Sequence, residues 1–216
     1  MSSMHIAWTT LAGVGAMLAA ALLGGCSSGL DKDQCQTADW NTIGFEDGLN
    51  GLPAERIGVH RVACAKHQVA PNLAAYTAGR ERGIQDYCEP RNGFRVGLYG
   101  RTYANVCPET SEAPFVDAYR MGRQIYAARA ELRNTQSRLQ AAKNGLAQAE
   151  VAVVNITAEL VQPQVPTPRR LFLAQELVRL AGERTGLEAQ IGRLTLRTHE
   201  LAVDVGELER RSPFTL

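Results

Sequence analysis

The stretch Cys64-Ala65-Lys66-His67, with His60 one helical turn earlier, holds the residue types with the richest chemistry in this chain of 216 residues. A thiolate and two imidazoles at such spacing could seat zinc or copper. A disulfide at Cys64 would remove the thiolate, and that use is the favoured one. Asp47, Asp86 and Glu89 could supply acid and base, yet no spacing ties them to one another. No nucleophile elbow, phosphate-binding loop or zincin motif occurs. The expectation is therefore a chain that is not an enzyme, with no catalytic residue, metal or cofactor.

A second stretch is chemical in another sense. From Ile6 to Leu23 the chain is apolar or small and carries no acid or base, and it ends in Leu23-Gly24-Gly25-Cys26. An apolar segment followed by small residues reads as an export signal over residues 1–25. Its ending resembles the bacterial lipobox, in which the cysteine thiol is acylated and the preceding peptide bond is cut. Ser27, by resemblance to lipoprotein sorting, implies the outer membrane and its periplasmic face. The membrane is then a partner through a lipid anchor (palmitate and its like) at Cys26, each buried methylene contributing about 0.8 kcal/mol. Met1 to Thr10 lacks the expected Lys or Arg and offers only His5, so a single membrane-spanning helix is the competing reading. Gly13, Gly15, Gly24 and Gly25 suit cleavage better than a span.

Setting Cys26 aside leaves Cys35, Cys64, Cys88 and Cys107, an even number for an oxidising compartment. Three pairings are open. Proximity in the chain favours Cys35 with Cys64 and Cys88 with Cys107, each worth roughly 3 kcal/mol by loop entropy.

Composition sets further limits. With a formal net charge of +1 and no basic stripe interleaved with aromatics, no nucleic-acid partner is expected. A polar tether, residues 26–34, leads into a small disulfide-stapled, α-rich domain at 35–110. Asn50-Gly51 signals a turn, and Pro53 suits the start of a helix reaching about Lys66, with Arg56, His60 and Cys64 on one face. Pro71-Asn72 opens another through Tyr76, Gly79, Gly83 and Tyr87 to Cys88, its glycines forming flat notches for a close neighbour. Asn92-Gly93 reads as a turn. Gly93, Gly97 and Gly100 leave Phe94 to Val106 as loop with a short helical or extended piece. An aromatic-x-x-Gly unit recurs at Phe45, Tyr76, Phe94 and Tyr119, too irregularly for a solenoid, as one packing device reused. Asp39-Trp40, Gly44, Asp47-Gly48, Cys64, Tyr76, Gly79, Gly83, Tyr87-Cys88, Gly93, Gly97, Gly100, Tyr103, Val106-Cys107-Pro108, Tyr119 and Gly122 together resemble the uncharacterised bacterial lipoproteins grouped as domain of unknown function 2799, over roughly residues 35–126. That resemblance carries no activity with it.

The second half is organised by heptads. Ile125, Leu132, Leu139, Leu146, Val153 and Leu160 recur every seven residues, as do Leu173, Leu180, Leu187, Leu194, Leu201 and Leu208. Companion residues follow by three in the first run and by four in the second, so the runs occupy a and d. Folding at the proline-rich turn, residues 162–168, matches a to d throughout, from Leu160 opposite Leu173 to Ile125 opposite Leu208. The spacing thus predicts an antiparallel coiled-coil hairpin over 111–211, with Ser111 capping its first helix, followed by a tail at 212–216. Thr135 faces Thr198 and Arg184 faces Ala149, layers that fix register. Gly145, Gly182, Gly186, Gly192 and Gly206 fall off the seam. Arg169 and Arg170 open the second helix against its dipole and are the candidate partner-binding pair, for an envelope protein, a phosphate or a peptidoglycan carboxylate.

The mainly α architecture that results, a stapled domain followed by a long hairpin, points to a non-enzymatic structural or adaptor lipoprotein of the envelope. A small-ligand or cell-wall-glycan binding module in residues 35–110, less readily a hydrolase, is the alternative.

Overall fold

The computed structural model describes residues 30–214, so the export segment and Cys26 lie outside the described residues. Those residues form helices and no strand: α1 (Lys32–Gln36), α2 (Trp40–Leu49), α3 (Arg56–Ala65), α4 (Leu73–Tyr87), α5 (Pro90–Leu98), α6 (Glu109–Leu160) and α7 (Thr167–Arg211). None is long and apolar enough to cross a membrane.

Polar residues at the starts explain where these helices begin. Asp31 and Gln34 form a reciprocal capping box on α1, Asp39 accepts from the amides of Asn41 and Thr42 to open α2, and Asn72 accepts from Ala75 to open α4. Pro90 occupies the first turn of α5, where its missing N–H costs nothing. Helix α6 starts at Glu109 behind Pro108 rather than at Ser111. The Ser111 hydroxyl donates to the Pro108 carbonyl, while Glu109 and Glu112 supply the first-turn charge.

Two regions depart from the sequence reading. Trp40 to Leu49 and Pro90 to Leu98 are helices, although the first is rich in turn formers and the second was expected to be mostly loop. The reason is tertiary. Helix α2 packs along α4 and α5 along α6 at glycine contacts that a side chain would forbid. A Cβ on Gly79 would overlap the Asn41 carbonyl, one on Gly83 the Phe45 carbonyl, and ones on Gly44 and Gly48 the carbonyls of Tyr76 and Arg80. In the second pair, Gly93, Gly97 and Gly122 rest on the carbonyls of Phe115, Tyr119 and Phe94. The burial bought by this approach outweighs the weak propensity of glycine for helix.

The two pairs are copies of one unit. Gly44-Phe45-x-x-Gly48-Leu49-x-Gly51 recurs as Gly93-Phe94-x-x-Gly97-Leu98-x-Gly100. Gly51 and Gly100 both end their helix at positive φ, 67° and 71°, and each lies against a tyrosine ring of the partner helix, Tyr87 or Tyr126. Each copy also has its own disulfide, Cys35 to Cys64 and Cys88 to Cys107, joining the segments that lead into its two helices. The aromatic-x-x-Gly device is therefore the visible part of a duplicated helical hairpin.

The second copy borrows its partner helix from the arm. Phe115, Ala118 and Ile125 of α6 are buried in the small domain, and α6 then continues unbroken to Leu160, so no linker separates domain from hairpin at residue 110. At 1.5 Å per residue, α6 is roughly 78 Å long. Helix α7 returns along it, and the tail contributes too, since Leu208 and Phe214 pack on the cluster of Phe94 and Ile125. Phe214 stacks on Phe94 with centroids 4.9 Å apart. Along the arm the seam residues Thr135, Ala142, Ala149, Leu173, Leu180, Leu194 and Leu201 are buried. Arg129 with Glu209, and Glu131 with Arg197, bridge e to e and g to g, the pattern of an antiparallel pair.

The glycines thus fall in two populations with opposite consequences. Nothing lies within 4 Å of a Cβ added at Gly182, Gly186 or Gly192. Gly186→Ala and Gly192→Ala should each stabilise the chain by roughly 0.5–1 kcal/mol, whereas Gly79→Ala or Gly83→Ala should cost about 2–3 kcal/mol. Thermal melts of the four single variants check this. Equal shifts at arm and domain sites would mean that the crossings are not set by backbone contact.

Candidate functional site

The small domain contains one buried polar network. Asp47 on α2, His60 on α3 and Tyr76 on α4 are all nearly inaccessible, and the Asp47 carboxylate holds both partners: Oδ2 lies 2.8 Å from His60 Nε2 and accepts from the Tyr76 hydroxyl at 2.8 Å. Trp40 and Tyr76 meet the imidazole edge-on, with centroids 6.3 and 6.1 Å away. Burial, and next the hydrogen bond to the Asp47 carboxylate, push the Tyr76 phenol well above its ordinary range. Three polar atoms around the network have no partner among the described residues: His60 Nδ1, Arg56 Nε and Arg80 Nε.

In the second copy, Val96 and Phe115 stand where the first has Asp47 and Tyr76, and both are buried in an apolar core. The shared fold therefore does not require the polar set. Helix α3, which carries His60, belongs to the first copy alone, and it packs along no other helix. It is fastened by His60, by the Cys64 disulfide and by Ile57, which packs on the cluster of Trp40 and Tyr76. The network fixes α3. Its three side chains, Asp47, His60 and Tyr76, are enclosed, at 8%, 5% and 1% exposure.

The residues with metal-binding chemistry are not assembled. Cys64 is bonded to Cys35, and no group of three or more His, Cys, Asp or Glu that could share a metal ion occurs among the described residues. Asp86 and Glu89 sit apart from Asp47, on the wall of an open groove of about 660 Å³ between the end of the first copy and the outer face of α5. Arg91, Arg95 and Arg101 also line it, over an aromatic floor that includes Tyr87, Phe94 and Phe214. Tyr87 borders it with its ring in the core beneath. Tyr76 and Tyr103 pack inside the two cores.

On the arm, Arg169 and Arg170 serve the turn. Arg169 makes a bidentate pair with Glu159, at 2.7 and 2.9 Å, and lies over the Phe172 ring; the pair lowers the Glu159 carboxyl and raises the guanidinium. Arg170 donates to the carbonyl of Leu160, an orphan acceptor at the end of α6, and to those of Gln162 and Val165 in the turn. Their mismatch with the α7 dipole is explained by the α6 dipole, whose negative end they meet. Arg184 reaches past Ala149 to Glu150 and Glu188, at 3.9 and 3.6 Å.

The distal arm is two-sided. On the g flank lie the Glu159–Arg169 pair and Arg179, which bridges Glu176 and Glu183. The e flank carries Val154, Thr157 and Val161 of α6 beside Leu171, Ala174, Val178 and Ala181 of α7, all exposed, with Val161 and Val178 each at 75%. Glu150 is the charge at its inner border, and it is committed to Arg184.

Residues 39–124 match the family model described as "Protein of unknown function (DUF2799)". That span covers both hairpin copies and ends where the free arm begins. No curated protein and no solved structure matches the chain.

Asp47→Val should cost more than Tyr76→Phe, about 2–3 against 1 kcal/mol, because it strands two buried partners rather than one. The two costs should not add, as members of one network. The pH dependence has a definite sign. Below about pH 10 the Tyr76 phenol keeps its proton in both states and its contribution is full. As pH rises further the unfolded chain ionises first, so stability falls. Tyr87 and Tyr103 are raised by burial in the same direction. Denaturant titrations between about pH 8 and 11 should thus show a shallower alkaline loss in Tyr76→Phe. An unchanged slope would exclude Tyr76 as a contributor.

Proposed function

We propose that this chain, carrying a domain of that family at its base, is a non-enzymatic lipoprotein of the bacterial outer membrane. It faces the periplasm and works as a structural or adaptor protein through its helical arm. The reading is carried by the distal e flank. A hairpin needs apolar residues only along its seam, and here the seam is filled from within, yet Val154, Val161, Leu171 and Val178 form a second, charge-free strip. Exposed apolar patches of more than a few hundred Å² on soluble proteins mark contact sites. The unbroken α6 supports the same reading, because a continuous helix holds the strip at a fixed distance and direction from the base. The sequence up to Cys26 supplies the anchor, by its likeness to a lipobox.

Two measurements test the two halves of this proposal. A clickable palmitate analogue should label the chain in cells and fail to label Cys26→Ala. Photo-crosslinkers placed at Val154 and Val178 should capture an envelope partner that crosslinkers at Arg179 and Glu183 on the opposite flank do not. Val154→Glu with Val178→Glu should abolish capture while leaving stability within about 0.5 kcal/mol, as expected of exposed sites. A chain lacking residues 128–205 that captures the same partners would remove the arm from the function.

A further inference from the structure

We infer that the groove over α5 is a binding site for a small organic oxyanion, a phosphate ester or a carboxylate with an apolar body. This inference is independent of the arm.

The duplicated hairpin provides the first argument. Positions 91, 95 and 101 of the second copy correspond to Thr42, Glu46 and Leu52 of the first, by the register that aligns Gly93 with Gly44. The first copy builds the same glycine-packed hairpin without cations there. Folding therefore does not require Arg91, Arg95 and Arg101, and their gathering on one outer face is particular to the second copy.

Geometry provides the second. Arg95 and Arg101 line one lobe of about 360 Å³ together with Asn92, Val96 and Tyr99, and among the described residues no carboxylate borders that lobe. Asp86 and Glu89 are confined to the wider part of the groove. Arg91 and Arg101 form no ion pair among the described residues. The Arg95 guanidinium donates to Asn92 Oδ1 at 2.8 Å, which orients it along the helix. Arg101 is held by its backbone, its N–H donating to the Val96 carbonyl and its carbonyl accepting from the Tyr119 hydroxyl. Two guanidiniums, one oriented by Asn92 and one on an anchored backbone, lining a lobe with no described carboxylate, suit the bidentate geometry of a phosphate or carboxylate.

The rest of the groove selects the body of the ligand. Tyr99 is 66% exposed at its rim, and Phe214 closes it by stacking on Phe94. An aromatic floor with a few polar groups at one end is the usual lining of a small-molecule site, and the volume lies within the usual range. Asp86 and Glu89 at the other end would repel an extended polyanion.

Isothermal titration of the full-length chain at low ionic strength tests this, with phenyl phosphate, benzoate and inorganic phosphate as probes. Phenyl phosphate or benzoate should bind, and which of the two binds more tightly separates the phosphate source from the carboxylate source. Arg95→Glu with Arg101→Leu, which installs the residues of the first copy, should keep the melting temperature and weaken binding at least tenfold. Arg133→Glu, on an exposed and unpaired arm arginine, should leave it unchanged. No binding of either organic probe, equal binding by the double variant, or equal weakening by Arg133→Glu would overturn the site. Inorganic phosphate binding as tightly as phenyl phosphate would overturn the apolar body.

Discussion

Helices cross at backbone contact only where neither presents a Cβ at the crossing, and this constraint governs the small domain. It is met twice, by Gly44, Gly48, Gly79 and Gly83 in one hairpin and by Gly93, Gly97 and Gly122 in the other. Close approach brings large side chains on the flanking positions into one another's reach. Tyr76 and Phe115, whose carbonyls lie against Gly44 and Gly93, are almost wholly buried at 1% and 0% exposure. Short helices of nine and ten residues have little independent stability, so they depend on that contact. A disulfide across each hairpin limits the unfolded chain and adds to what a small core cannot supply.

Because one scheme is used twice, the copies can be compared position by position, and whatever differs between them is not dictated by the scheme. The first copy places Asp47 and Tyr76 where the second has Val96 and Phe115, and it inserts α3 to supply the His60 imidazole. The second copy places arginines where the first has Thr42, Glu46 and Leu52. A buried hydrogen-bonded set is costly when incomplete and rigid when complete. In the first copy it ties α3 to α2 and α4, beside the apolar contacts of Ile57 and Cys64. The arginines remain exposed and add nothing to the core, so their placement asks for a ligand rather than for a packing reason.

The arm was legible in the sequence because its information is periodic. Every layer from Ile125 with Leu208 to Leu160 with Leu173 follows from heptad phase and one proline-rich turn, and the charged pairs at e and g fall where that phase puts them. The small domain was legible in outline through caps at Asn72, a proline at position 53 and four cysteines. Helices α2 and α5 were hidden by their own glycines, which read as turns when weighed singly and become helical only against a partner helix further along the chain. The longer repeated string around Gly44 and Gly93 was the available signal, and four-residue aromatic units were too short to reveal it. The groove was out of reach for the same reason, since Arg91 and Arg95 share a face only once Pro90 to Leu98 is helical. Arg169 and Arg170 have a local role that the sequence does not display. Charge counted along one helix points outward, while Arg169 pairs with Glu159 of the preceding helix and Arg170 donates to the carbonyl that ends that helix and to two carbonyls of the turn.

Helix α6 makes these parts one mechanical object. Its first four turns are the second strand of a glycine-packed hairpin, and its remainder is half of a coiled coil, with Ile125 buried at the change from one role to the other. The returning helix closes the circuit. Leu208 and Phe214 seat the end of α7 on the same cluster, so both strands of the arm are rooted in the domain rather than one. An arm fastened by a single strand could swing about its base. One fastened by two, with ion pairs at Arg129–Glu209 and Glu131–Arg197 just above the root, keeps a set direction. The apolar strip near its tip is then held out along that direction, while the base below it can bind on its own account.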